Sequence, residues 1–265
     1  MTLLEDRTVL ITGAARGLGR TMAHLAAQNG ARVAVADVDL HSWRSFAAEA
    51  EDMRADTTAD EILKDGGDAH GFEADLTDSA RTARLLDAVL ERFGRLDAVL
   101  CFAGGGSGAL SGNSAGNLDP ASLQSALDRN LLTTVNVCTA AIPAMTTGRG
   151  GAIVTMSSLN GRAPTDRGTY SHYGVAKAAV AMYTRYLARD VGRYGIRANC
   201  IAPGTVPTGR LQQVWAESGT PLSFENTALR RAPRPEEICA SALFLASDLS
   251  SYVTGQILAV DGGIE

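Results

Sequence analysis

The chain has 265 residues, 45% hydrophobic and 20% charged, an ordinary globular composition long enough to bury one sizeable α/β core. A formal net charge of -5 with no basic cluster argues against nucleic-acid binding, and no apolar run approaches the roughly 20 residues of a membrane span. The 4 cysteines (Cys101, Cys138, Cys200, Cys239) are too scattered for a disulfide framework or a zinc site, so reduced, mostly buried thiols and no bound metal are expected.

Met1 to Arg7 has no charged-then-apolar leader pattern, which points to the cytoplasm. The first strand is expected over Val9 to Thr12, followed by the glycine turn Thr12-Gly13-Ala14-Ala15-Arg16-Gly17-Leu18-Gly19 and a helix from Arg20 to Asn29. In that order, the glycines let a pyrophosphate approach the backbone, and the helix N-terminus offers free N–H groups and a positive dipole end. A second strand, Arg32 to Ala36, ends in Asp37. A carboxylate there would accept hydrogen bonds from an adenosine ribose and repel a 2'-phosphate, favouring NAD over NADP, although Arg16 could attract that phosphate.

The next segment, about 38–66, is longer than a usual strand connection by roughly a helix. Trp43, Phe46, Ala47, Ala50 and Met53 fall on one helical face, and Thr58-Ala59-Asp60-Glu61 reads as a capping box opening a second short helix. These helices either pad the sheet edge or cover the adenosine end of the site and slow cofactor release. Further strands are expected over Ala69 to Glu73, Ala98 to Phe102, Ala152 to Ser157, Arg197 to Ala202 and Ile257 to Val260. Gly104 to Asn117 is flexible on composition alone and leaves a strand's C-terminal end, where ligands bind in such sheets. With helices between the strands and no repeat or composition break, residues 1–265 read as one domain. Its expected fold is a doubly wound, Rossmann-like parallel sheet of about seven strands with helices on both faces.

The most informative group lies late in the chain. Tyr173 and Lys177 are four apart on a helix-like run, so phenol and amine share a face, with Ser158 upstream. A neighbouring ammonium favours the phenolate and brings its proton exchange toward neutral pH. Such a pair often occurs by chance, and it gains meaning from the dinucleotide turn. A carbinol losing hydride must also lose its hydroxyl proton: Tyr173 would take it, Lys177 would hold down the phenol's pKa, and Ser158 would steady the developing alkoxide.

From about Leu10 to Gly263 the chain resembles the single-domain short-chain dehydrogenase/reductase family. The likeness rests on the Thr-Gly-xxx-Gly-x-Gly turn, Asp75-Leu76, Asn130, Ser158, the Tyr173-xxx-Lys177 pair, Pro203-Gly204-Thr205-Val206-Pro207-Thr208 and Val260-Asp261-Gly262-Gly263. It implies that Asn130, Ser158, Tyr173 and Lys177 are catalytic, Asn130 anchoring a water that relays protons from Lys177. It also implies a cofactor site of Gly13, Arg16, Gly17, Leu18, Gly19 and Asp37, of Asp75 and Leu76 beside the adenine, and of Ala103 and Gly104. Tyr173 and Lys177, the latter on the nicotinamide ribose, and Pro203, Gly204, Val206 and Thr208 at the carboxamide complete that site. The expected protein is a homotetramer that uses NAD to interconvert a small secondary alcohol and its ketone. A catalytically silent NAD-binding sensor or scaffold is the alternative.

Three departures stand out. Cys101-Phe102-Ala103-Gly104 replaces the family's Asn-Asn-Ala-Gly, so packing must replace two bracing amides. The interval from Ser158 to Tyr173 is about two residues long, so Leu159 to His172 should bulge and wall the substrate. The third is the insert after Asp37. A movable substrate lid is expected over about 208–234, where Leu211, Val214, Trp215, Leu222 and Phe224 suit a moderately apolar, cyclic substrate. His172 is expected to be solvated or capping, Arg162, Arg167 and Arg210 to be solvated or to bind an anionic substrate group, and Gly94 to Asp97 to be a plain connection.

Overall fold

A computed structural model describes residues 2–218 and 222–264. Residues 1 and 265 of the expected domain, and 219–221 of the expected lid, lie outside the described residues. Seven strands form one parallel sheet: β1 (Thr8–Thr12), β2 (Arg32–Asp37), β3 (Asp68–Glu73), β4 (Ala98–Cys101), β5 (Gly151–Met156), β6 (Ile196–Pro203) and β7 (Ile257–Val260). Their order is β3-β2-β1-β4-β5-β6-β7, with every neighbouring pair parallel. The order reverses between β1 and β4, and a crevice opens outside the strand ends at that point. The expected fold is therefore the observed one, with strand ends differing by one or two residues.

Alternation along each strand divides the core between two faces. Val9, Ile11, Val33, Val35 and Leu100 face α1 (Gly17–Gln28), α3 (Thr58–Lys64) and α9 (Pro235–Ala246), meeting Met22, Ile62, Ile238 and Leu245. Leu10, Ala34, Val99 and Ile153 face α4 (Ser79–Phe93), α6 (Thr133–Thr147) and α7 (Ser171–Val191), meeting Leu86, Val89, Val137 and Leu187. The insert adds α2 (Ala47–Asp52), and α5 (Pro120–Leu127) and α8 (Gly209–Ser218) complete the set of α-helices.

Local chemistry sets the helix ends. Asp78 accepts from the amides of Ala80 and Arg81 to open α4, which closes on Gly94 in the left-handed region at φ 76. Asp119 caps α5 with Pro120 in its first turn. Gly94 to Asp97 is more than a connection, because the carboxylate of Asp97 is buried, accepts from the Thr8 amide at 2.9 Å and pairs with Arg95. That bond ties the start of β1 to the start of β4. At their other ends the Ala103 amide donates to Thr12 Oγ1 at 3.1 Å, and Cys101 and Phe102 are packed away from solvent. A hydroxyl and apolar packing thus brace the central strands where the family's amides are missing. All four cysteines are buried thiols.

The insert departs from its expected form. A short 3₁₀ turn, Ser42–Ser45, and an extended Phe46 (φ -136) break the expected helix, so its apolar face never assembles. Ala47 is exposed, whereas Glu49, on α2, is buried. The N-cap sits one residue earlier than expected and is no reciprocal capping box: Thr57 Oγ1 accepts from the Asp60 amide and donates to the Asp60 carboxylate. Burial at the core end of α3 is ionic. Glu61 accepts from Arg20 Nε and Nη2, each at 2.8 Å, and from the Arg54 amide at 2.7 Å, and lies 2.9 Å from His24 Nε2. Burial alone would raise the Glu61 carboxyl, but these bonds outweigh it and hold it down at about 2.

Candidate functional site

One cavity of about 620 Å³ runs along the strand ends from Asp37 to Tyr173, within the range of about 300–1,000 Å³ usual for ligand sites. Its adenosine-side wall includes Asp37, Val38, Asp75, Leu76 and Thr77, at the ends of β2 and β3. The floor is the glycine turn: Gly13, Arg16, Gly17, Leu18 and Gly19 all line it. Ala103, Gly104, Pro203, Gly204, Val206 and Thr208 line the far half, where Ser158 and Tyr173 also face the space. Asn130 and Lys177 do not line it.

The turn has the shape a dinucleotide phosphate needs. Gly13 sits at φ +66, and a Cβ there would lie 2.7 Å from Ala103 Cα, while one on Gly19 would lie 2.0 Å from the Gly13 carbonyl oxygen. Only glycines permit backbone this tight beside a helix N-terminus. Asp37 accepts from the amides of Ala15 (3.0 Å) and Val38 (2.8 Å), so it holds the turn as well as the end of β2. Burial raises its carboxyl above the usual range, opposed by these amides and by the charge of Arg16. The Arg16 guanidinium lies over the Phe46 ring at 4.5 Å, which ties the insert to the turn.

At the reactive end, β5 delivers Ser158 and the first turns of α7 deliver Tyr173 and Lys177. Burial pushes the Tyr173 phenol up to about 12, although a hydrogen bond with the Ser158 side chain opposes this. Lys177 is buried behind the cavity wall, where burial pulls its ammonium down to about 8. Its Nζ donates to the Met156 carbonyl at 2.8 Å and lies 5.8 Å from the Tyr173 ring centroid. Ser157 secures the helix from the other side by donating to the Lys177 carbonyl at 2.7 Å. Desolvation is the largest influence at both groups.

Asn130 lies in a π-helical turn, Asp128–Leu132, between α5 and α6. Its side chain accepts from the Gly105 amide at 2.9 Å and donates to the carbonyls of Gly105 (3.1 Å) and Ala126 (2.9 Å). The amide therefore clamps the glycine loop leaving β4. That loop is pinned, contrary to its composition: Tyr170 N donates to Gly112 O at 2.8 Å, Ser171 N to Asn113 O at 3.1 Å and Ala115 N to Gly168 O at 2.9 Å. It is zipped to the long loop 159–172, which lines the cavity with Leu159, Asn160 and Thr165 as well as Tyr170.

Sequence reasoning missed Tyr170, a buried residue in the left-handed region at φ 57 whose ring lies 5.3 Å from that of Tyr173. Its only sequence signal is Gly106, where a Cβ would fall 1.7 Å from Tyr170 Oη. The expectation for His172 is overturned: it is buried, with Nε2 3.2 Å from the Ser107 carbonyl and its ring edge-on to Tyr170. The loop zipper draws it in. Of the three arginines, Arg210 lines the cavity and donates to Tyr170 Oη at 3.3 Å, Arg162 pairs with Asp261 at 2.8 Å, and Arg167 is exposed. From the lid segment, Leu211 and Trp215 line the main cavity, whereas Phe224 lines a separate one with Pro233 and Ile238.

Residues 13–265 match a family model described as enoyl-(acyl carrier protein) reductase. The chain is 44% identical over 261 residues to a cyclohexanol dehydrogenase of Rhodococcus sp. (strain TK6), covering 98% of this chain and 97% of that one. It is 32% identical to the 7alpha-hydroxysteroid dehydrogenase of Escherichia coli (strain K12), covering 98% and 94%. A solved Burkholderia xenovorans chain assigned as a short-chain dehydrogenase/reductase superposes with a TM-score of 0.85 at 28% identity, covering 99% and 97%. Fold, motif order and relatives over the whole length agree, and the chain belongs to the short-chain dehydrogenase/reductase family.

Proposed function

We propose that this protein is an NAD-dependent dehydrogenase that oxidises a moderately apolar, cyclic secondary alcohol to its ketone, with Tyr173 as the proton acceptor. The observation that carries this reading is a single cavity that reaches from Asp37 to Ser158 and Tyr173, which face it together. The 44% identity to a cyclohexanol dehydrogenase supports the substrate class.

The glycine turn and Asp37 would hold the pyrophosphate and adenosine ribose, and Pro203 to Thr208 the nicotinamide end. Bound oxidised dinucleotide supplies the hydride acceptor and a positive charge near the phenol. Ser158 orients the carbinol oxygen and stabilises its developing charge. Tyr173 accepts the hydroxyl proton, and Lys177, behind it, supports the phenolate. In reduction the neutral phenol, its ionisation pushed up to about 12 by burial, donates the proton. The homotetramer is part of the proposal: Val175, Met182 and Tyr186 leave an exposed apolar stripe on α7 suited to a second copy. Sedimentation as a monomer would remove that part.

The first test is NADH formation from cyclic and acyclic secondary alcohols, with NAD and NADP in parallel, in wild type and Asp37→Asn. Wild type is expected to prefer NAD, and the variant to lose that preference by about tenfold or more as the charge facing a 2'-phosphate disappears. Equal use of both cofactors by wild type would sink the cofactor assignment. A pH series adds a second check. Because the Lys177 ammonium is pulled down to about 8, the charge that favours the phenolate is lost as pH rises through that value, and oxidative kcat/KM should fall with it. Lys177→Met should lose that limb along with most of the rate, and a flat oxidative profile across about pH 6 to about pH 10 would contradict the assignment.

A further inference from the structure

Glu49 is a buried carboxylate that the chemistry above does not use. It is 8% exposed and sits on α2 of the insert. One oxygen, Oε2, accepts from the Gly17 amide at 3.1 Å, in the first turn of α1. The other, Oε1, accepts from the Gly209 amide at 3.0 Å, in the first turn of α8. The preceding residue Arg16 gives α1 no side-chain cap, so the insert supplies one from 32 positions away. The carboxylate thus joins three elements: the insert, the helix whose N-terminus floors the cavity, and the helix carrying Arg210, Leu211 and Trp215 into it.

Its surroundings are shaped to this bridge. A Cβ on Gly209 would lie 2.5 Å from Glu49 Cγ, so a glycine is what lets α8 approach. Beside it Phe46 carries the Arg16 guanidinium on its ring, and Thr58 Oγ1 donates to the Ala15 carbonyl at 3.3 Å. Two amides at helix N-termini compensate the desolvation of a carboxylate that would otherwise not be buried in this position. A side chain with only one acceptor oxygen cannot make both bonds.

We propose that Glu49 is a positioning residue that latches the insert across the cofactor turn and the substrate-side helix, so that dinucleotide exchange requires the latch to open. The inference rests on the dinucleotide reading above. The insert, expected either to pad the sheet edge or to cover the adenosine end, also grips the phosphate turn and α8. A cofactor seated on the turn lies inside this bridge. Leaving demands that α8 move away from α1, and the bond to Glu49 resists that movement.

The test is NADH release from the full-length protein, followed by the loss of bound-NADH fluorescence on mixing with excess NAD. Glu49→Gln keeps the shape but turns an NH₂ toward one of the two amide donors, which breaks one bond of the bridge. Gly209→Ala keeps the carboxylate but crowds it from the other side. Both are expected to release NADH faster by about tenfold or more, the loss of one charge-assisted hydrogen bond. Single-turnover reduction of ketone by prebound NADH should stay within about twofold of wild type, since neither residue meets the reacting atoms. Release within about twofold of wild type in both variants overturns the latch. So does faster release with an equal loss of single-turnover rate, which would mark general distortion of the site. If wild type binds no NADH, the dinucleotide reading itself fails and the latch with it, whereas normal binding with unchanged release defeats the latch alone.

Discussion

Tyr173→Phe is expected to lower kcat by about 10²–10⁴-fold, the usual contribution of a positioned proton-transfer group, while NADH binding stays close to wild type. The substitution removes one oxygen and keeps the ring, so packing against Tyr170 at 5.3 Å and the course of α7 are retained. What disappears is the phenol hydroxyl that faces the cavity beside Ser158. Both directions of the reaction should suffer, because the same hydroxyl takes the proton in oxidation and returns it in reduction. Initial rates in each direction, with NADH fluorescence titrations on the same samples, make the comparison. Turnover above about a tenth of wild type would rule Tyr173 out as the acid-base group. Binding of NADH by wild type without turnover of any alcohol or ketone would favour the sensor alternative.

The second large effect concerns stability. Glu61→Ala is expected to cost about 3–5 kcal/mol, because it leaves Arg20, His24 and the Arg54 amide around a vacated buried carboxylate. For a domain of this size the midpoint of thermal unfolding should fall by on the order of 10 °C. The pH dependence follows from the carboxyl being held at about 2, against an ordinary value of 4.5. Its stabilisation is fully present above about 4.5 and is lost as pH falls through about 2, so wild type and variant should converge in acid. Thermal melts across this range measure both. Replacing Arg20 and Glu61 together by Met and Leu should cost less than the sum of the single changes, since the charges are removed as a set. An additive loss, or a wild-type advantage that persists in strong acid, would refute this account of how α3 is held to α1.

The sheet was legible because its signal is local. Runs such as Val9 to Ile11 and Val33 to Ala36 are apolar over their whole length, as strands covered on both faces must be, and glycine turns punctuate them. The cofactor turn and the Tyr173 and Lys177 pair were legible for the same reason: the functional spacing lies within a single turn or helix. The insert was misread because periodicity assumes that the buried face is apolar. There Glu49 and Glu61 are buried alongside Ala59 and Ile62, and the amides and cations that compensate the two carboxylates come from α1, α8 and Arg54. Nothing within the segment announces partners so distant in sequence.

His172 and Tyr170 make the same point at the catalytic end. Next to Tyr173, His172 reads as solvated, yet the loop leaving β4 closes over it and presents the Ser107 carbonyl, 65 positions away. Tyr170 adopts a left-handed backbone that its side chain disfavours, held there because its amide reaches Gly112 and its hydroxyl fits against Gly106. By itself, then, the sequence determined the parallel sheet, the glycine turn and the spacing of Tyr173 and Lys177, since each follows from the pattern of residues near in the chain. Only the tertiary structure decided which groups desolvate Tyr173 and Lys177, what Asn130 clamps and what Glu49 joins, because burial and hydrogen bonding there depend on elements that meet only once the sheet is formed.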